Sequence, residues 1–62
     1  MEEFKSFIMK AIMEEEQDRT KYKAWAEKAR EIGMEKAAHI LREISYEELT
    51  HKAALEKIMH MM

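Results

Sequence analysis

Two stripes of residues recur along the chain at alternating steps of three and four. The first reads Met1, Phe4, Ile8, Ala11, Glu15, Asp18, Tyr22, Trp25, Ala29, Ile32, and the second reads Met34, Ala37, Leu41, Ile44, Glu48, His51, Leu55, Ile58, Met62. That spacing keeps one side of a helix facing a partner. It predicts an all-α chain with one helix over about 2–31 and another over about 34–59. Between them stands Gly33, the only glycine in the sequence. Glycine takes a left-handed C-terminal cap without steric cost, so the chain is expected to reverse there as an antiparallel hairpin with a very short turn. One continuous helix bent at Gly33 is the lesser alternative. No Ser, Thr, Asp or Asn supplies a side-chain cap for the second helix, but Glu35 puts a negative charge at its start, where the macrodipole favours one.

Both stripes break at mid-length, where Glu15, Asp18, Glu48 and His51 occupy positions that a purely apolar seam would fill. Ionised groups buried without a partner cost several kcal/mol, so this polar layer calls for a compensating charge. A metal ion is the natural candidate. Counted from Gly33 at about 1.5 Å per residue, Glu15, Glu48 and His51 all lie roughly 22–27 Å from the turn and share one layer. Two helices leave such a layer open on one side; a second copy of the hairpin would close it. A two-fold axis would then gather four glutamates and two histidines, the ligand inventory of di-iron and di-manganese carboxylate bundles. The expected architecture is a homodimeric four-helix bundle built from one helical-hairpin domain, residues 1–62.

Composition narrows the field. A domain of 62 residues buries little surface and needs a staple, and the absence of cysteine rules out a disulfide. Metal binding and self-association remain. The formal net charge of -2, with basic and acidic residues interspersed, suggests no nucleic-acid or membrane partner. Met1-Glu2-Glu3 has the wrong charge for a secretory signal, and no apolar run reaches the length of a membrane span. A soluble, cytoplasmic protein is expected, and the lack of cysteine agrees with a reducing compartment.

The chain resembles the rubrerythrin-like branch of the ferritin-like superfamily. The matching features are Glu15 with Tyr22 seven residues on, Ala-Arg-Glu-Ile-Gly-Met-Glu-Lys-Ala-Ala at positions 29–38, and Glu48-Leu49-Thr50-His51. Glu-x-x-His alone is a weak signal; the upstream glutamate, the tyrosine and the glycine turn make the set fairly specific. The resemblance implies that Glu15 is a terminal metal ligand, Glu48 a bridging carboxylate and His51 the nitrogen ligand. It implies a supporting role for Tyr22, hydrogen-bonded near the site and orienting a ligand carboxylate. Asp18 falls where one half of rubrerythrin carries an extra glutamate; its shorter side chain favours an outer position or an ion-entry path over direct ligation. Family members normally hold four helices in one chain. This two-helix form is similar to half-length ferritin-like proteins, such as encapsulated ferritins, that share a site between subunits and associate further into rings. No rubredoxin-like cysteine cluster is present in these residues, hence no internal electron relay.

Four glutamates at about -4 balance two divalent ions at +4. Without metal the carboxylates would repel one another and hold protons near neutral pH. Oxygen and imidazole donors suit iron, manganese and zinc alike, and the resemblance selects iron, two per dimer. The implied chemistry is oxidation of Fe(II) by dioxygen or hydrogen peroxide. Two alternatives stand beside it: a peroxide-reducing peroxidase fed by an external donor, and a non-enzymatic self-association module whose polar layer fixes helix register.

Several residues are expected to do less. Tyr22 and Trp25 read foremost as core aromatics. His39 and His60 lie off both stripes and are expected in solvent. Glu14 and Glu16 project about 100° to either side of Glu15 and read as surface charges, at most lining an entry path. Met59, Met61 and Met62 are either a soft association surface or a frayed end.

Overall fold

A computed structural model describes residues 2–62. Helix α1 spans Glu2–Glu31 and helix α2 spans Glu35–His60, and they pack against each other along their length as an antiparallel hairpin. There is no strand among the described residues. The molecule is a thin slab of 48 × 14 × 9 Å. Its long dimension is that of a single helix, since α1 has 30 residues and each adds about 1.5 Å.

The reversal is built by backbone hydrogen bonds around Gly33. Met34 N–H donates to the Ala29 carbonyl at 2.8 Å and Gly33 N–H to the Arg30 carbonyl at 3.0 Å. These are the two bonds of a Schellman cap, which requires a left-handed residue between them. Gly33 supplies it at φ +84°. Helix α2 then starts without a side-chain cap on Met34, and Ala38 N–H returns to the Met34 carbonyl at 3.0 Å. Glu2 and Glu3 begin α1 and Lys28 and Arg30 end it, so charge follows the macrodipole at both termini.

The seam between the two helices is rotated from the stripes expected from spacing alone. Toward the turn it is made of small residues, with Ala26, Ala29, Ala38 and Ser45 all buried. Small side chains let the helix axes approach. Toward the open end Ile8 is buried, with Ile12, Leu55, Ile58 and Met59 half-buried around it. The stripe carrying Phe4, Ala11, Asp18 and Trp25 runs along the edge of this seam. Trp25, expected in the core, is 58% exposed in the hairpin, while Tyr22 is half-buried. The physical reason is that a seam with small residues on both sides has no room for an indole.

Ile8, Ala26, Ala29 and Ala38 are the buried apolar residues, whereas twelve large apolar side chains stand exposed among the described residues. The hairpin therefore buries too little to form a core by itself. Several of the exposed groups share a face. With residues advancing about 100° each, the exposed Phe4, Phe7 and Trp25 on α1 and Ile40 on α2 fall on one broad side of the slab, with the half-buried Ile44 and Ile58 beside them. Glu15 and Glu48 lie along the midline of that side.

Candidate metal centre

Half-way along the hairpin, one donor atom each from Glu15, Glu48 and His51 lies within 4.8 Å of the others. Each is there for a reason of phase. Glu48 and His51 are three apart on α2 and share a side of that helix, and Glu15 meets them from α1. His51 Nδ1 approaches Glu15 Oε2 at 3.5 Å. The glutamates are half-buried and the histidine is exposed, so the cluster opens onto the apolar face.

Electrostatically this group lacks something. Glu15 Oε2 is buried and has no hydrogen-bond partner. The Glu48 carboxyl is pushed above the ordinary carboxylate range, first because its proton can be shared with Glu15, then by desolvation and by the charges of Glu15 and Asp18. His51 acts weakly in the opposite direction. Two carboxylates in one place hold a proton because they cannot comfortably both be ionised. An orphaned carboxylate oxygen, a glutamate inclined to keep its proton and an imidazole nitrogen form an oxygen–nitrogen donor set that suits a first-row divalent ion. The residues present fit a metal.

The remaining residues singled out by sequence are placed as follows. Asp18 is half-buried at the rim of the layer, near enough to act on Glu48 through its charge but outside the donor cluster, and Lys21 Nζ lies 3.9 Å from its Oδ1. Tyr22 lies one heptad beyond Glu15 on the same side of α1, and the nearby ammonium is Lys21 Nζ, 5.1 Å from its ring centre. No side-chain hydrogen bond joins Tyr22 to the cluster among the described residues. His39 and His60 are exposed, and His39 pairs with Glu43 at 2.9 Å. Met61 is 82% exposed.

Glu16 departs from expectation. It is half-buried and joins the helices: Arg19 donates to it through Nη2 at 2.6 Å and Nε at 3.2 Å, and Lys52 Nζ donates across from α2 at 3.1 Å. These bonds hold its carboxyl down to about 2. Ser45 adds a second crossing, its Oγ donating to the Arg19 carbonyl at 3.2 Å. The sign could have been read from phase: Glu16 and Lys52 each follow a candidate ligand by one residue, and opposite charges at matching positions across an antiparallel pair can meet.

Two antiparallel helices whose carboxylates and histidine converge at mid-length define a helical domain with a candidate carboxylate metal centre. The rubrerythrin family model matches residues 6–62, and the chain belongs to the rubrerythrin family. Membership marks it as an iron-binding domain of the di-iron carboxylate type, for which Glu15, Glu48 and His51 are the candidate carboxylate and histidine group. No curated protein and no solved structure matches the chain. No helix among the described residues is long and apolar enough to cross a membrane.

Proposed function

We propose that two copies of the hairpin pair through their apolar faces, bring two Glu15–Glu48–His51 groups together, and oxidise Fe(II) with dioxygen or hydrogen peroxide at the shared site. The single observation that carries this reading is the convergence of these donors, with Glu15 Oε2 buried and unpartnered, on the face whose large apolar side chains are uncovered. One face thus lacks both a charge and a cover. A second copy supplies the cover and the other half of the ligands, giving four glutamates and two histidines.

Iron is the substrate in this reading, and each Fe(II) gives up one electron. With peroxide as oxidant, two such electrons break the O–O bond to give two hydroxides. The chain contributes binding and charge balance. Glu15 and Glu48 offer about -4 per pair of chains, matching two divalent ions. The raised Glu48 carboxyl marks a place short of positive charge, which a bound cation would supply. His51 contributes a neutral nitrogen donor, and Asp18 adds negative charge at the rim, which favours the more highly charged Fe(III) product. Manganese and zinc suit the same donors.

Anaerobic titration of metal-free protein with Fe(II), with mass measured on the same sample, tests the reading. Saturation near one iron per chain on a dimer or a multiple of it is expected, followed by an absorbance rise when oxygen or peroxide is admitted. A stable dimer that binds no iron would make the polar layer a register device and end the enzymatic reading.

A further inference from the structure

The side of the hairpin opposite the carboxylates carries a cleft of about 220 Å³ with a different character. Arg19 and Lys23 line it from α1, and Arg42, Ser45, Tyr46 and Leu49 line it from α2. Three of these residues are cations. The one acid in the lining, Glu27, is already engaged by Arg30 Nη2 at 3.0 Å.

Two of the three cations, Lys23 and Arg42, are unpaired among the described residues. Arg42 is half-buried, yet among the described residues it has no ion pair and no side-chain hydrogen bond, and neither does Lys23. A guanidinium carries five N–H donors in a planar fork. None of the Arg42 nitrogens is buried, so the unpaired fork is open to an acceptor that enters the cleft. Arg19 spends Nε and one Nη2 proton on Glu16 and keeps its other donors. Ser45 spends its proton on the Arg19 carbonyl at the floor. Tyr46 and Leu49, both exposed, give the cleft a partly apolar wall.

We infer that this cleft is an oxyanion site that takes a phosphate group, held by Arg42 through its fork and by Lys23 and Arg19 as further positive charge. Bidentate N–H donation to a tetrahedral oxyanion is what an arginine fork is shaped for. At a 100° step, Lys23 stands about 80° from Glu15, and Arg42, Tyr46 and Leu49 about 100–160° from Glu48, away from the carboxylate layer, while Arg19 and Ser45, at about 40–60°, form the floor toward the seam. The cleft is therefore a site separate from the candidate metal centre, and covering the opposite face leaves it open. The source of the group is either free phosphate or a phosphate ester whose organic part rests on Tyr46 and Leu49.

The test is a ³¹P NMR titration of the full chain, in the presence of a chelator so that no metal carries the anion, with inorganic phosphate in one arm and phenyl phosphate in the other. Saturable binding of one phosphate per chain below about 10 mM is expected. R42Q should weaken it by about tenfold or more, and R42K should recover only part, because an ammonium cannot bind through two parallel bonds. K23Q, at an exposed position, should weaken it less. Tighter binding of phenyl phosphate assigns the site to an ester; equal binding assigns it to free phosphate. Absence of saturation in both arms, or unchanged binding by R42Q and K23Q at unchanged helix content, overturns the inference.

Discussion

Lys52 Nζ sits 3.1 Å from Glu16 Oε2, and one residue earlier on each helix His51 Nδ1 sits 3.5 Å from Glu15 Oε2. Both helices advance by one residue from one contact to the other, and because they run antiparallel the two contacts slant differently across the seam and together bracket the register. Consecutive helical residues point about 100° apart, and the two contacts therefore flank the interhelical seam from opposite sides. The ion pair on one side holds in place the donors on the other.

That ion pair should be visible in acid. Arg19 and Lys52 hold the Glu16 carboxyl down to about 2 from an ordinary 4.5. A depressed carboxylate contributes stability that is present above its unfolded value and lost as pH falls through its folded one. Thermal unfolding of wild type and E16Q should differ most near neutral pH, with wild type the more stable. The gap should close between about 4.5 and about 2. A gap that persists unchanged into acid would mean that the Lys52 bridge does not form in solution.

Glu48 carries the opposite sign. Its carboxyl is raised, chiefly by its proximity to Glu15. The contribution of a raised group is present below the unfolded value and is lost as pH rises through the folded one. Metal-free protein should accordingly lose stability on going from mildly acidic to neutral pH. E48Q, which fixes the neutral form, should be more stable than wild type when metal-free at neutral pH, yet bind Fe(II) about 100-fold more weakly or worse. Melts with and without metal measure both effects. A residue present only to fix register would lose stability on substitution and leave metal affinity unmoved.

Much of the hairpin was legible in the spacing of apolar residues, because helix phase and a single glycine are local properties. The direction in which each helix packs was not. Ala26, Ala38 and Ser45 are too small to stand out in a hydrophobic pattern, yet they are buried in the seam. Trp25 is large and in phase, which marks it for a core; within one hairpin the seam of small residues leaves it on the uncovered face. At the candidate site Glu15, Glu48 and His51 are brought together. Glu16 has the pattern of a surface charge along α1, because its partner, Lys52, lies on the other helix. Pairing across helices depends on register, which a stripe on one helix does not reveal.

The turn offers a test of backbone chemistry alone. A Cβ built on Gly33 meets nothing within 4 Å, but the residue sits at φ +84°. Space is free and conformation is not. G33A should cost about 1–2 kcal/mol, the penalty of a left-handed L-residue, measured by denaturant unfolding of metal-free protein. G33N should cost less, since asparagine tolerates that region better. Equal stability of all three would show that the cap is not formed as described.

Trp25 provides the assay for the uncovered face. It is 58% exposed in the hairpin and lies on the same side as Ile40, which is 56% exposed. If two copies close over the carboxylate layer, both side chains leave water. Indole emission should shift to the blue as protein concentration rises, in step with dimer mass, and Fe(II) should move the transition to lower concentration because ligands from both chains hold the metal. W25E and I40E place charges in the contact without touching the seam between α1 and α2. Each should raise the concentration needed for dimerisation by about tenfold or more and weaken iron binding in proportion. Helical content should change little under conditions where the wild-type monomer is itself folded. If W25E and I40E dimerise as readily as wild type, the pairing uses a different face, and the Glu15–Glu48–His51 group would have to bind metal with one chain's ligands alone.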